Sequence, residues 1–164
     1  MVPARPSEAS LGLAPERCRW RACSPASTGK GMLVRVSRSF YESYLKRCNQ
    51  HRFSELDKFV AAEVAVNGIR VGLDGYQAGL RSVVDAFADY HWSLRRLMEE
   101  PPWLSVLLHD TGTHTGARWG IAPTGRRIRT HEIAFYRFEQ GKIAEVWVTA
   151  DDLHVIDQLR ADDQ

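Results

Sequence analysis

Cysteine is scarce in this chain, with three among 164 residues, at positions 18, 23 and 48. Three thiols cannot all pair within one chain, and the five-residue step from Cys18 to Cys23 is followed by no second Cys pair or paired His that would complete a zinc set. Cys18, Cys23 and Cys48 are therefore read as free thiols of a reducing compartment, which makes the cytoplasm the expected location. No metal site is expected. An excess of one charge is also missing: 22 basic residues stand against 20 acidic ones, for a net charge of +2 with both signs interspersed. That balance leaves no electrostatic footprint for nucleic acid or for an anionic membrane, and neither is an expected partner. The first 31 residues contain no uninterrupted apolar run of the kind a secretory signal needs. The sequence is 44% hydrophobic and 26% charged, which suits one compact domain with a core of its own.

Residues 1–31, MVPARPSEASLGLAPERCRWRACSPASTGKG, scatter Pro, Ser, Gly and Arg without an apolar period. They are expected to form a disordered extension, and 32–164 the folded domain. Translation starting at Met32 and a targeting or partner-binding tail both stay open as explanations of the extension.

From Met32 the periods become readable. Val36, Phe40, Tyr44 and Cys48 recur every four residues, with Arg35, Arg38, Glu42 and Lys46 elsewhere on the wheel, which predicts an amphipathic helix over about 33–49. Ser54 is a plausible N-cap with Asp57 three residues on, and Leu56, Phe59 and Val60 supply the apolar side of a short second helix. AEVAVNG, 62–68, reads as a brief strand ending at Asn67-Gly68. Asp74 is placed to cap a third helix carrying Tyr76, Leu80, Val83, Val84 and Phe87 at steps of three and four. The period then changes: 91–98, 103–114, 126–138 and 142–149 are extended runs rich in β-branched and aromatic residues, with turns at Pro101-Pro102 and Gln140-Gly141. Leu153, Ile156 and Leu159 close the chain with a short helix. Three helices followed by a meander of strands describe an α+β domain whose mainly antiparallel sheet curls over the helices and can enclose a pocket.

Between two of these runs lies GTHTGARWGIAPTGRR, 112–127. Hairpin connections are usually about two to five residues, so one this long is either disordered or kept for a function.

The order FYESYLKRCNQHRFSELDKFVAAEVAVNG, GLDGYQAGLRSVVDAFADYHWSL, GTHTGARWGIAPTGRRI and YRFEQGKIAEVWV resembles the SnoaL-like polyketide cyclase (ester cyclase) family over about 33–160. Its most specific parts are Gly112-Thr113-His114-Thr115-Gly116, the turn Pro123-Thr124-Gly125-Arg126, and Arg137 with Gly141, Lys142 and Ile143. The resemblance implies the cone-shaped α+β barrel also found in ketosteroid isomerase, scytalone dehydratase and nuclear transport factor two. It further implies intramolecular aldol cyclisation of a polyketide-like or other small hydrophobic substrate, without metal or organic cofactor. Other members are epoxide hydrolases or have no known activity. In the family the long connection reaches over the barrel and often packs on a partner subunit, which gives Trp119 and Ile121 a surface to cover and makes order the expected state of 112–127.

Such a reaction needs a base beside a carbonyl, a donor to the oxyanion that forms, and walls that bring the reacting carbons together. The family places an Asp three residues before the Arg of the Arg-x-x-x-Gly-Lys run and a His-Trp-Asp near the end of the last strand. Here those positions are Ala134 and Val146-Trp147-Val148. With a bulge at Gly141 that sets Arg137 opposite Ile143, Ala134 would face Val146 and Glu132 would face Val148. Glu132 and Tyr136 are then the polar groups left on that face.

Glu132 is the first candidate base, the alternative being an ion pair within the sheet. His114 is a second acid/base candidate or a residue that fixes its loop. Asp110 shares the strand face of His114 by the two-residue period, and either joins the chemistry or faces solvent. Asn67 is a pocket amide or a turn residue before Gly68. Tyr41 and Trp92 are pocket walls or plain core, and Trp119 and Tyr136 complete the candidate substrate contacts. The opposite sheet face carries Ile133, Phe135 and Trp147, too apolar for water, so a homodimer is expected. Two classes of function stay open: a cofactor-independent cyclase, isomerase or epoxide-hydrolase-like enzyme, and a non-catalytic small-molecule-binding or assembly protein.

Overall fold

The computed structural model describes residues 37–161. The expected disorder of 1–31 and the first residues of the first predicted helix lie outside the described residues. Helix α1, Arg38–Asn49, starts at Ser37, whose extended backbone lets its hydroxyl accept from the Phe40 N–H at 3.3 Å. Tyr41, Tyr44, Leu45 and Cys48 fall at steps of three, four and seven and are buried together.

The second helix is a single 3-10 segment, Phe53–Lys58, and Arg52 before it offers no side-chain cap. Val60, expected inside that helix, instead opens strand β1, Val60–Val66. Tertiary pairing overrides the local pattern here: Phe59 accepts from the Ile143 N–H at 2.8 Å, which draws the chain into the sheet. Asn67 and Gly68 both take positive φ (49° and 80°), the form required of a two-residue hairpin turn into β2, Ile69–Arg70. Helix α2, Gly72–Ala86, begins two residues before Asp74. Asp74 therefore sits in the first turn, where its charge suits the helix dipole, rather than at the cap.

Four strands follow, β3 (His91–Glu100), β4 (Trp103–Thr113), β5 (Arg127–Glu139) and β6 (Lys142–Ala150), then helix α3, Asp152–Arg160, capped by the Asp151 carboxylate. The sheet order is β2-β1-β6-β5-β4-β3, antiparallel except where β1 runs parallel to β6. With β2 and β3 at opposite edges, the curved sheet is not closed. Strand β4 alternates strictly, burying Leu104, Val106, Leu108, Asp110 and Gly112 on the face that meets the helices. Strand β5 turns Ile128, Thr130, Ala134, Tyr136 and Phe138 the same way.

The β5–β6 register differs from the expected one. Gln140 and Gly141 (φ 49° and 78°) make a tight turn that pairs Glu139 with Lys142, and the bulge falls on β6, where Ala144 is extra. Ala134 thus faces Val148, Tyr136 faces Val146, and Glu132 faces Ala150. Because the slip is two residues, every side chain keeps its face while its partner changes.

The long connection is ordered. His114 N–H donates to the Arg126 carbonyl and Gly125 N–H to the His114 carbonyl, both at 2.9 Å. Thr115 and Gly116 N–H both donate to the Ala86 carbonyl at the end of α2, at 2.9 and 3.0 Å. A side chain at Gly116 would overlap the Asp85 carbonyl oxygen, so glycine is needed for this approach. Arg118 and Ile121 pair through their backbones and carry the chain back to β5.

Candidate active site

Between α1, α2 and the buried face of the sheet lies a cavity of about 340 Å³. Its walls are mostly aliphatic and aromatic, and its polar groups are few: tyrosine hydroxyls, Thr130, Glu132, and Arg118 and Asp152. Helix α1 supplies Tyr41 and Tyr44 one turn apart, α2 supplies Tyr76, and β5 supplies Tyr136. The Tyr44 and Tyr76 hydroxyls lie 2.5 Å apart, and those of Tyr41 and Tyr136 lie 3.4 Å apart. Tyr41 and Tyr136 rings also pack with centroids 5.2 Å apart. Burial holds all four phenols above their ordinary range, so they are neutral hydrogen-bond donors at physiological pH.

Glu132 is half-buried on the cavity wall beside Ala134. Burial pushes its carboxyl up to about 7; the Trp92 indole hydrogen bond opposes this and the Asp152 charge adds to it. A carboxyl with that value is shared between acid and base forms at neutral pH. Asp110 is 0% exposed. Its Oδ2 accepts from the Tyr90 hydroxyl at 3.4 Å, and Oδ1 has no hydrogen-bond partner among the described residues. Burial pushes Asp110 up to about 8, with the charge of Glu132 the second cause. The solvent-facing alternative for Asp110 is therefore overturned: the inward phase of β4 carries it into the core, beside Tyr90 and Trp92, where protonation removes the cost of burying its charge.

Glu132, Tyr41, Trp92, Trp119 and Tyr136 line the cavity together. His114 and Asp110 are buried but lie outside its lining. The His114 Nδ1 accepts from the Thr124 N–H at 3.2 Å, which assigns the proton to Nε2, and its ring packs on Phe87 at 5.3 Å. Burial lowers its pKa, keeping it neutral. The imidazole thus ties the two ends of the long connection. Asn67 is exposed and holds the β6 backbone from outside, donating to the Val148 carbonyl at 3.1 Å and accepting from the Val148 N–H at 2.8 Å. Trp119 stands at the cavity edge with the Arg118 guanidinium 4.4 Å from its ring centroid.

Sequence reasoning passed over Tyr44, Tyr76 and Arg118 as lining residues. The helical period does place Tyr44 and Tyr76 on inward faces, and their hydroxyls were the available signal. Arg118 carried none, since its position depends on how the connection folds. Among the described residues no group of three or more His, Cys, Asp or Glu is arranged to hold a metal ion, and no helix is long and apolar enough to cross a membrane.

Comparison with known proteins agrees with this architecture. The family model for the SnoaL-like polyketide cyclase matches residues 36–159. A SnoaL-like polyketide cyclase from Agrobacterium tumefaciens is 32% identical, with 73% of this chain and 94% of that one covered and a TM-score of 0.67. TsrD from Streptomyces laurentii is 24% identical over 77% of this chain and 99% of its own, with a TM-score of 0.70. IdmH from Streptomyces antibioticus shares the fold at 17% identity and a TM-score of 0.68, over 75% and 97% of the two chains. No curated protein matches the sequence. With the motif order, the curved sheet over its helices and the family model in agreement across most of the chain, this protein belongs to the SnoaL-like polyketide cyclase family.

Proposed function

We propose that the protein is a cofactor-independent cyclase or isomerase acting on a polyketide-like or other small hydrophobic carbonyl compound held in the cavity. The observation that carries this reading is Glu132, a carboxyl pushed up to about 7 on the wall of an apolar cavity that also presents neutral tyrosine hydroxyls. Glu132 takes a proton from the carbon next to a substrate carbonyl, and the Tyr41 and Tyr136 hydroxyls donate to the enolate oxygen. In a cyclisation the enolate carbon attacks a second carbonyl of the same molecule, and the resulting alkoxide takes the proton back from Glu132. Trp92 orients the carboxylate throughout. Asp110 and His114 act from behind the wall, as a charge-coupled neighbour and as a loop tie.

Proton abstraction can be tested without the native substrate. Wild-type protein should accelerate deuterium exchange at the central carbon of an aryl 1,3-diketone, read by NMR, and Glu132→Gln should slow that exchange about a hundredfold with little change in binding. Exchange at the wild-type rate in that variant removes Glu132 as the base. The non-catalytic reading draws support from Ala134, Val146 and Val148, apolar where the family carries its polar set. Ligand binding with no exchange above the uncatalysed rate decides for that reading.

A homodimer is part of the same proposal. Ile133, Phe135 and Trp147 are 46%, 47% and 45% exposed on the outer face of β5 and β6, with Phe135 directly opposite Trp147. A second copy seated there removes this apolar patch from water. Sedimentation showing only monomer at micromolar concentration overturns it.

A further inference from the structure

Among the described residues Arg118 is the one cationic residue in the cavity lining. Its Nη1 donates to the Ser82 carbonyl at 3.1 Å, and its guanidinium rests on Trp119 with 4.4 Å to the ring centroid. Those two contacts fix the side chain's direction but do not neutralise it. Among the described residues no ion pair joins it to Asp152, which lines the same cavity, or to any other carboxylate, and its hydrogen bond there is the one from Nη1. A guanidinium carries five donors in a planar fork that matches two oxygens at once. A mostly apolar cavity that holds an oriented guanidinium without a carboxylate partner among the described residues is able to select the charge of what enters.

We propose that Arg118 is a specificity-determining residue and that the ligand of this cavity carries a carboxylate, which Arg118 holds beside Trp119 while the apolar body lies against the tyrosines. This deepens the reading above and rests on the cavity being the ligand site, but not on Glu132 being a base. Asp152 and Glu132, the carboxyls of the lining, disfavour a ligand carboxylate beside them, so the acid end is directed to Arg118. A neutral ester of the same skeleton loses the paired hydrogen bonds and binds by its apolar surface alone.

The test compares 2-naphthoic acid with methyl 2-naphthoate by calorimetric titration at pH 7, in wild-type protein and in the Arg118→Lys and Arg118→Met variants. Wild-type protein is expected to bind the acid about tenfold more tightly than the ester. Arg118→Lys should keep part of that preference, because the charge remains and the fork is lost. Arg118→Met should bring the two ligands to parity while leaving ester affinity within about twofold. Equal wild-type affinity for acid and ester overturns the inference, and that comparison needs no variant to fold. Persistence of the preference in a folded Arg118→Met protein also overturns it. Failure of both ligands to bind wild-type protein overturns the inference together with the cavity reading. Loss of the base reading through Glu132→Gln, with the acid preference intact, leaves Arg118 in its role and separates the two proposals.

Discussion

Asp110 and Glu132 occupy the same face of adjacent strands, one step apart on the diagonal: Asp110 pairs across with Thr130, and Glu132 with Leu108. Burial raises both carboxyls, and the charge of Glu132 makes ionisation of Asp110 harder still. The ordinary carboxylate range lies near about 4, so between that value and about 8 the folded chain holds protons that the unfolded chain has released.

Stability contributed by these two groups should therefore be greatest at about pH 4 and fall as pH rises from there, levelling off above about 7 and about 8, the values at which Glu132 and Asp110 ionise in the folded chain. Asp110→Asn removes the larger part of that loss. The variant should match wild type at about pH 4 and exceed it at about pH 8 and above by on the order of 1 to 3 kcal/mol in urea unfolding. Asp89 and Glu145, held low mainly by the Thr113 N–H and by Arg137 respectively, act in the opposite direction and only at more acid pH. A wild-type stability curve that rises from pH 5 to pH 9 contradicts this account of Asp110.

Catalysed exchange should follow the ionised fraction of Glu132, climbing through about 7 and levelling at higher pH. In Asp110→Asn the midpoint of that climb should stay at about 7, because Asp110, pushed up to about 8, is still largely protonated while Glu132 ionises. A midpoint that drops well below that of wild type would mean that Asp110 is already charged when Glu132 ionises.

Restoring the family's polar set depends on the register. Ala134 faces Val148 directly and reaches Val146 only diagonally. Ala134→Asp combined with Val148→His should show a coupling energy of about 1 kcal/mol or more in a double-mutant cycle, and combined with Val146→His a smaller one. Each single polar substitution should cost about 1 to 3 kcal/mol, since all three sites are inward-facing and apolar. Stronger coupling to position 146 than to 148 would contradict the bulge at Ala144.

Gly116→Ala should destabilise the protein by about 2 kcal/mol or more, because the new methyl meets backbone at Asp85 and Ala86 rather than a side chain that can turn aside. Thermal unfolding measures the loss. The same substitution should loosen the connection that presents Arg118 and Trp119 to the cavity, so the preference for a ligand carboxylate should shrink in the folded fraction. Gly120→Ala is a poor control, since that position has positive φ (74°). Gly79→Ala, in α2 with nothing near the added methyl, is the better one.

The sequence by itself determined the two periods and therefore the fold class. The four-residue steps through Phe40, Tyr44 and Cys48 and the two-residue alternation through Leu104, Val106, Leu108 and Asp110 each decide a face, and a face survives any register slip of an even number of residues. That is why Glu132, Tyr136, Ala134 and Val146 were legible as inward positions although their partners were not. Tertiary structure decided what periodicity cannot contain. Val60 joined the sheet because β6 was there to pair with it, and Asn67 became a turn residue whose amide holds β6. Asp110 went inward with its strand although its charge argued for water, and burial answered by raising its pKa. Arg118 reached the cavity only because Thr115 and Gly116 dock on the Ala86 carbonyl, an approach set by three-dimensional packing between segments about thirty residues apart.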